Sequence, residues 1–104
     1  MNKKIDTMPV RQLFEAVLTL ETVEECYLFF EDLLTVKEIE SLSQRLQVAE
    51  LLRKKETYVN IARIANSSTA TVSRVNRVLS YGNDGFEMVF SRMEKNASKN
   101  KRKK

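Results

Sequence analysis

Residues 57–80 read TYVNIARIANSSTATVSRVNRVLS, and their spacing decides the fold. Ile61, Ala62, Ile64 and Ala65 are expected to face inward at helical intervals in the first part, and Val72, Val75 and Leu79 recur at the same spacing in the second. Only Asn66 and Ser67 separate the two runs, and asparagine tolerates the left-handed backbone that a sharp turn between helices demands. Ala62 supplies a small side chain where two such helices would cross closely. A helix of about residues 57–65, a tight turn, and a helix of about residues 68–79 led by small polar residues are the parts of a helix-turn-helix.

The flanking sequence is helical as well. Val10, Leu13, Phe14, Val17 and Leu18 keep helical spacing just after Pro9, a residue tolerated in a first turn. Thr22 with Glu25, and Thr35 with Glu38, have the spacing of capping boxes. After the first box, Tyr27, Leu28, Phe29, Phe30, Leu33 and Leu34 cover more than one side of a short helix, which therefore needs neighbours on both flanks. After the second, Ile39, Leu42, Leu46, Ala49 and Leu52 form a stripe spaced by three and four on what should be a scaffold helix, and Arg53, Lys54 and Lys55 suit its C-terminus. Asn83 or Asp84 is expected to cap a last short helix carrying Phe86, Val89, Phe90 and Met93. With 2 Gly and 1 Pro in 104 residues, the expectation is an all-α protein of about six helices.

Charge is placed unevenly along the chain. The net charge is +4, yet residues 95–104, KNASKNKRKK, hold six basic groups, so residues 1–94 carry a net −2. The expected organisation is one helical domain over residues 1–94 followed by a basic disordered tail over residues 95–104. Eight acidic residues lie between Glu15 and Glu40 against the single Lys37, whereas residues 57–80 hold Arg63, Arg74 and Arg77 and no acid. Attraction for nucleic acid must therefore reside on one face and in the tail.

Several function classes drop out. There is no His, and Cys26 is the only cysteine, so neither a disulfide framework nor a metal or cofactor site is expected. Glu38 reads as a cap and Glu50 as a solvent-facing residue, with no nucleophile or phosphate loop beside them, and an enzyme is not expected. The N-terminus lacks a continuous apolar segment and no run of 18 apolar residues occurs, which points to a cytoplasmic protein with no membrane partner.

The second helix of the motif carries the chemistry. A helix end that enters a major groove must bring hydrogen-bonding or methyl-sized tips to base edges, which favours Ser, Thr and Ala. Ser67, Thr69, Ala70, Thr71 and Ser73 are assigned to base contact, and Ser68, Arg74 and Arg77 to the phosphate backbone. Val72 and Val75 would anchor this helix to the body.

Residues 33–80 resemble the Trp repressor superfamily, in particular its YerC/YecD-like branch. LLT, ESLSQRLQVAELL, IARIANSSTATVSRVNRVL and the following YG occur in the family's order and spacing, and weaker similarity covers most of residues 9–93. The resemblance implies an intertwined homodimer that packs its N-terminal and last helices across a dyad and presents two helix-turn-helix heads to double-stranded DNA. The expected function is that of a sequence-specific transcription regulator; the alternative is a helical interaction module that docks on a partner of the transcription machinery.

The family's namesake binds tryptophan between its scaffold and recognition helices. By resemblance, Thr35, Arg45 and Arg74 would be the remnant of that ligand pocket, with Gln44 taking the place of Arg45 if a one-residue deletion is placed before it. Val75 and Val78 replace the small residues that leave room for the ligand, so tryptophan is not expected as corepressor. Val59 and Ala62 stand where the family has a charged pair, which implies a different operator.

Overall fold

The computed structural model describes residues 2–102, and among them there are helices and no strands. Six helices follow one another: α1 (Met8–Val17), α2 (Val23–Leu33), α3 (Val36–Arg53), α4 (Tyr58–Ile64), α5 (Thr69–Tyr81) and α6 (Gly85–Arg102). The all-α expectation holds, and the helix count with it. None of the described helices is long and apolar enough to cross a membrane. The described chain divides after Glu40 into two units.

Threonines start the helices of the first unit. Thr7, Thr22 and Thr35 Oγ1 accept from the backbone N–H groups of Val10, Glu25 and Glu38 at 3.4, 3.1 and 3.2 Å. The Thr35 N–H donates in return to Glu38 Oε1 at 2.9 Å, which completes the expected capping box and holds the Glu38 carboxyl below its ordinary range. Glu25 differs by one residue, accepting from the Glu21 N–H at 2.9 Å rather than from that of Thr22. Phe29 and Phe30 meet edge to edge of a T, their centroids 5.4 Å apart. Even so, no residue of α1 or α2 is buried, and Met8, Leu18, Tyr27 and Leu28 are largely exposed.

The second unit has a core. Val48 and Ala49 of α3, Ile61 of α4, Ala65 just beyond it, Val72 and Val75 of α5, and Phe90 of α6 form one buried cluster. Val48, Ile61 and Val72 are 0 % exposed. The α3 stripe is only partly buried within one chain, and one sequence expectation on α4 needs correction. Of the α3 stripe only Ala49 is buried, Leu42 and Leu46 remain half-exposed, and Val48, outside the stripe, takes a fully buried place. Ile64 is likewise half-exposed rather than inward. Periodicity marks a face as apolar without saying what covers it, and the buried cluster within one chain reaches no farther back along α3 than Val48.

Helix ends in this unit are closed tightly. At the end of α3 Lys55 has φ 68°, and Lys55 and Glu56 N–H donate to Leu52 O and Leu51 O at 3.0 and 3.1 Å, a Schellman closure. Arg53 then ties α3 to α6: its Nε and NH2 group donate to Glu87 Oε2 and Oε1 at 2.8 and 2.9 Å, and its NH1 group donates to Glu94. Its guanidinium carbon lies 5.8 Å from the Phe90 ring centroid. Arg53, with help from the Ser91 hydroxyl, draws the Glu87 carboxyl down to about 2. Gly82 ends α5, its N–H donating to Val78 O at 2.7 Å; a Cβ on Gly82 would collide with that same oxygen.

The last helix is longer than the sequence suggests. Asp84 precedes it with φ 62° and accepts from Met88 N–H at 3.0 Å, but neither Asn83 nor Asp84 provides a side-chain cap among the described hydrogen bonds. From Gly85 the helix continues past residue 94 to Arg102, so that most of the segment assigned to the tail is helical here; Lys103 and Lys104 lie outside the described residues. No Gly or Pro interrupts residues 86–102, and Lys, Arg, Met, Glu and Ala are good helix formers.

Candidate nucleic-acid interface

The turn between α4 and α5 is a helix stop joined directly to a helix start. Ala65 caps α4, Asn66 follows with φ 50°, and the N–H groups of Asn66 and Ser67 donate to Arg63 O and Ala62 O at 3.4 and 2.9 Å. These are the two bonds of a Schellman motif, with asparagine in the left-handed position usually given to glycine. Ser68 then caps α5, its Oγ accepting from Thr71 N–H at 3.1 Å. The chain thus reverses over Asn66 and Ser67, as the sequence spacing predicts.

From α3, the Gln44 side-chain amide reaches this turn. Its Nε2 donates to Ala65 O at 3.2 Å and to Asn66 O at 2.8 Å. Both carbonyls lie beyond the last intrahelical acceptors of α4, where a helix leaves oxygens without partners.

Helix α5 stands on Val72 and Val75, with Leu79 half-buried beside them. At about 3.6 residues per turn, the opposite side presents Thr69, Ala70, Ser73, Arg74 and Arg77, all exposed. The two arginines make no ion pair or hydrogen bond among the described residues. Thr71 and Ser67 differ from the other assigned base contacts. Both are half-buried, with Thr71 Oγ1 3.1 Å from Ser68 Oγ and Ser67 Oγ donating to Ser68 O at 3.4 Å. Ser68 is exposed, but its hydroxyl is occupied by the cap.

Three residues near this face are assigned no contact by the sequence. Ser80 and Tyr81 continue the exposed side of α5, Tyr81 with 86 % of its surface open, and Arg63 is exposed on α4 beside the turn. The absence of acid from residues 57–80 was the signal available for Arg63. Tyr81 carried none, since its position next to Gly82 reads equally well as a helix end.

Residues 9–94, which include both helices of this motif, match a known family model, that of the Trp repressor protein. The chain belongs to the Trp repressor protein family. Among its relatives is the uncharacterized protein YerC of Bacillus subtilis strain 168, 53 % identical over 83 residues that cover 80 % of each chain. A solved TrpR-like protein from Eubacterium eligens ATCC 27750 is 54 % identical, with a TM-score of 0.87, covering 89 % of this chain and 96 % of that one. A solved candidate Trp repressor from Staphylococcus aureus is 51 % identical with a TM-score of 0.85, covering 88 % and 92 %. The chain therefore has the fold of a helix-turn-helix regulator of the Trp repressor type.

The residues connected by resemblance with the family's ligand are placed as follows. Thr35 is the N-cap residue of α3 in the first unit. Arg45 and Arg74, in the second, are exposed and without hydrogen bonds among the described residues, whereas Gln44 is half-buried against the turn. Val75 belongs to the buried cluster, and Val78 is 48 % exposed on the flank of α5.

Proposed function

We propose that this chain is a dimeric, sequence-specific regulator that binds double-stranded DNA through α5. The observation that carries this reading is the exposed side of α5. Small hydroxyl and methyl tips at Thr69, Ala70 and Ser73 are followed on one surface by two guanidinium groups, Arg74 and Arg77, unpaired among the described residues, with a hydrogen-bonded turn behind them. The tips suit base edges and the arginines suit phosphates.

Dimerisation draws support from the first unit. Two amphipathic helices without one buried residue between them leave Tyr27, Leu28, Leu13 and Phe14 to be covered, and a second copy offers the matching apolar surface. Tryptophan is not the effector in this reading, since Val75 is already committed to the core and Val78 adds branched bulk on the flank of α5.

One experiment tests the whole reading. The full-length chain is used to select fragments from random duplex DNA at two salt concentrations, with and without millimolar tryptophan, and its mass is measured by sedimentation. Expected are a recurrent palindrome, unchanged by tryptophan, and a mass about twice the 12.1 kDa of the chain. A folded dimer that enriches no sequence would instead be a protein-interaction module, and a palindrome recovered only with tryptophan would restore the corepressor.

A further inference from the structure

We propose that Gln44 is a positioning residue for the DNA-binding head, setting the angle of α5 by holding the turn that precedes it; this rests on the DNA-binding reading above. Among the described hydrogen bonds, those of the Gln44 side chain go to the turn and not to the exposed side of α5. Its amide spans 21 and 22 residues of sequence to bind Ala65 O and Asn66 O, the last carbonyl at the end of α4 and the carbonyl of the left-handed residue itself.

Those two oxygens occupy the hinge of the motif. The backbone direction of α5 is set by the dihedral angles of Ala65, Asn66 and Ser67, and the peptide planes carrying Ala65 O and Asn66 O rotate with them. The Schellman bonds from Asn66 and Ser67 fix the N–H side of these peptides against α4. They leave the carbonyl side free, and there the Gln44 amide supplies both bonds from a helix whose Val48 and Ala49, one turn farther on, are buried in the core. Gln44 is itself half-buried, its bond to Ala65 O partly shielded and its bond to Asn66 O at the exposed edge of the turn. α5 is thus tied to α3 twice, by Val72 and Val75 in the cluster and by Gln44 at the turn. The valines resist separation of the helix from the core, and Gln44 resists its rotation.

The donor is what matters, which separates this role from simple packing. Gln44→Met keeps length and apolar bulk but removes both bonds. Gln44→Glu puts a carboxylate, an acceptor, against two carbonyl oxygens. Gln44→Lys returns a donor of similar reach, and a cation at the end of a helix is favourable. Binding of each variant to the selected operator and to random duplex is measured well below its melting temperature, and amide hydrogen exchange is followed without DNA. Quoting the operator-to-random ratio cancels the effect of the added charge on general affinity.

Gln44→Met should lower that ratio about tenfold, as expected for losing the net contribution of such bonds, and should speed exchange at residues 66–72 while α6 stays protected. Gln44→Glu should lose more, and Gln44→Lys should recover most of the loss. A Gln44→Met ratio equal to wild type, or a Gln44→Lys ratio no better than Gln44→Met, overturns the proposal. A wild-type chain with no operator preference refutes the DNA-binding reading and the role of Gln44 within it. Exchange at residues 66–72 that is unaltered in Gln44→Met refutes the hold on the turn itself, whatever the DNA result.

Discussion

Replacing Arg77 by alanine should isolate the electrostatic share of the proposed DNA binding. Arg77 is exposed two turns beyond the start of α5 and is tied to no other side chain among the described residues, so its truncation should leave the fold intact; in a helix, arginine and alanine differ by only a few tenths of a kcal/mol. If each copy places this guanidinium on one phosphate, a dimer loses two contacts. Each contact contributes about −0.9 to the slope of log K against log salt, so the slope should become shallower by about 1.8. Between about 50 and 200 mM salt, a change of about fourfold, this makes the deficit of the variant about twelvefold larger at the low-salt end. Fluorescence anisotropy on labelled operator and random duplex, repeated along a salt series, reads both quantities. The operator-to-random ratio should stay within about twofold of wild type, because a phosphate contact carries no sequence information. A collapse of the ratio at unchanged slope would mean that Arg77 reads a base, and the division of labour along α5 would be wrong. No change in either quantity would remove this face of α5 from the DNA.

Two further outcomes follow from local geometry. Asn66→Ala should cost about 1 kcal/mol in thermal or urea unfolding, because φ 50° is unfavourable for an ordinary side chain, whereas Asn66→Gly should cost little or nothing; equal losses would mean that the asparagine side chain, not the backbone, holds the turn. Glu87 has its folded value at about 2, below the ordinary 4.5, so the stability it contributes is complete above about pH 4.5 and is lost as pH falls towards 2. The difference in melting temperature between wild type and Glu87→Gln should therefore be constant at neutral pH and shrink between pH 4.5 and 2, and a difference that persists at pH 2 would exclude the ionised pair with Arg53 as its source.

The parts of the molecule legible in the sequence are those whose causes are local. The α4–α5 turn could be placed from Asn66 and Ser67 because a left-handed residue and a following cap are set by neighbours in sequence. The threonine starts of α2 and α3 were legible for the same reason. What escaped depends on distant partners. Leu42 and Leu46 fit the α3 stripe as well as Ala49 does, and Val48 does not fit it, yet Val48 and Ala49 are the buried pair; only the third dimension distinguishes them. The extent of α6 was obscured because a basic, acid-free run signals repulsion, while its lack of helix breakers is a weaker and opposite signal. Within the interface, the exposure of Thr69, Ala70, Ser73, Arg74 and Arg77 followed from the valines behind them. The engagement of the Thr71 hydroxyl with Ser68 did not, since Thr71 differs from Thr69 only in the direction it faces. No spacing rule marks a glutamine that reaches across 21 residues, and the sequence offers Gln44 only as an alternative to Arg45.

The stop at Gly82 bears on how any mutational survey of this region is read. An alanine scan across residues 67–82 treats each loss of binding as the removal of a contact, but at Gly82 the scan adds an atom instead of removing one. The added methyl would meet Val78 O, the acceptor of the last hydrogen bond of α5, and would also come within 3.1 Å of Val78 Cγ1. Its loss of binding would be a false positive, a sign of the helix end being prised open at a residue with no side chain to offer DNA. A survey that carries a serine or alanine at residue 82 as a reporter of binding will therefore extend the apparent footprint one residue past Tyr81, and the true border can be drawn only from variants at Ser80 and Tyr81.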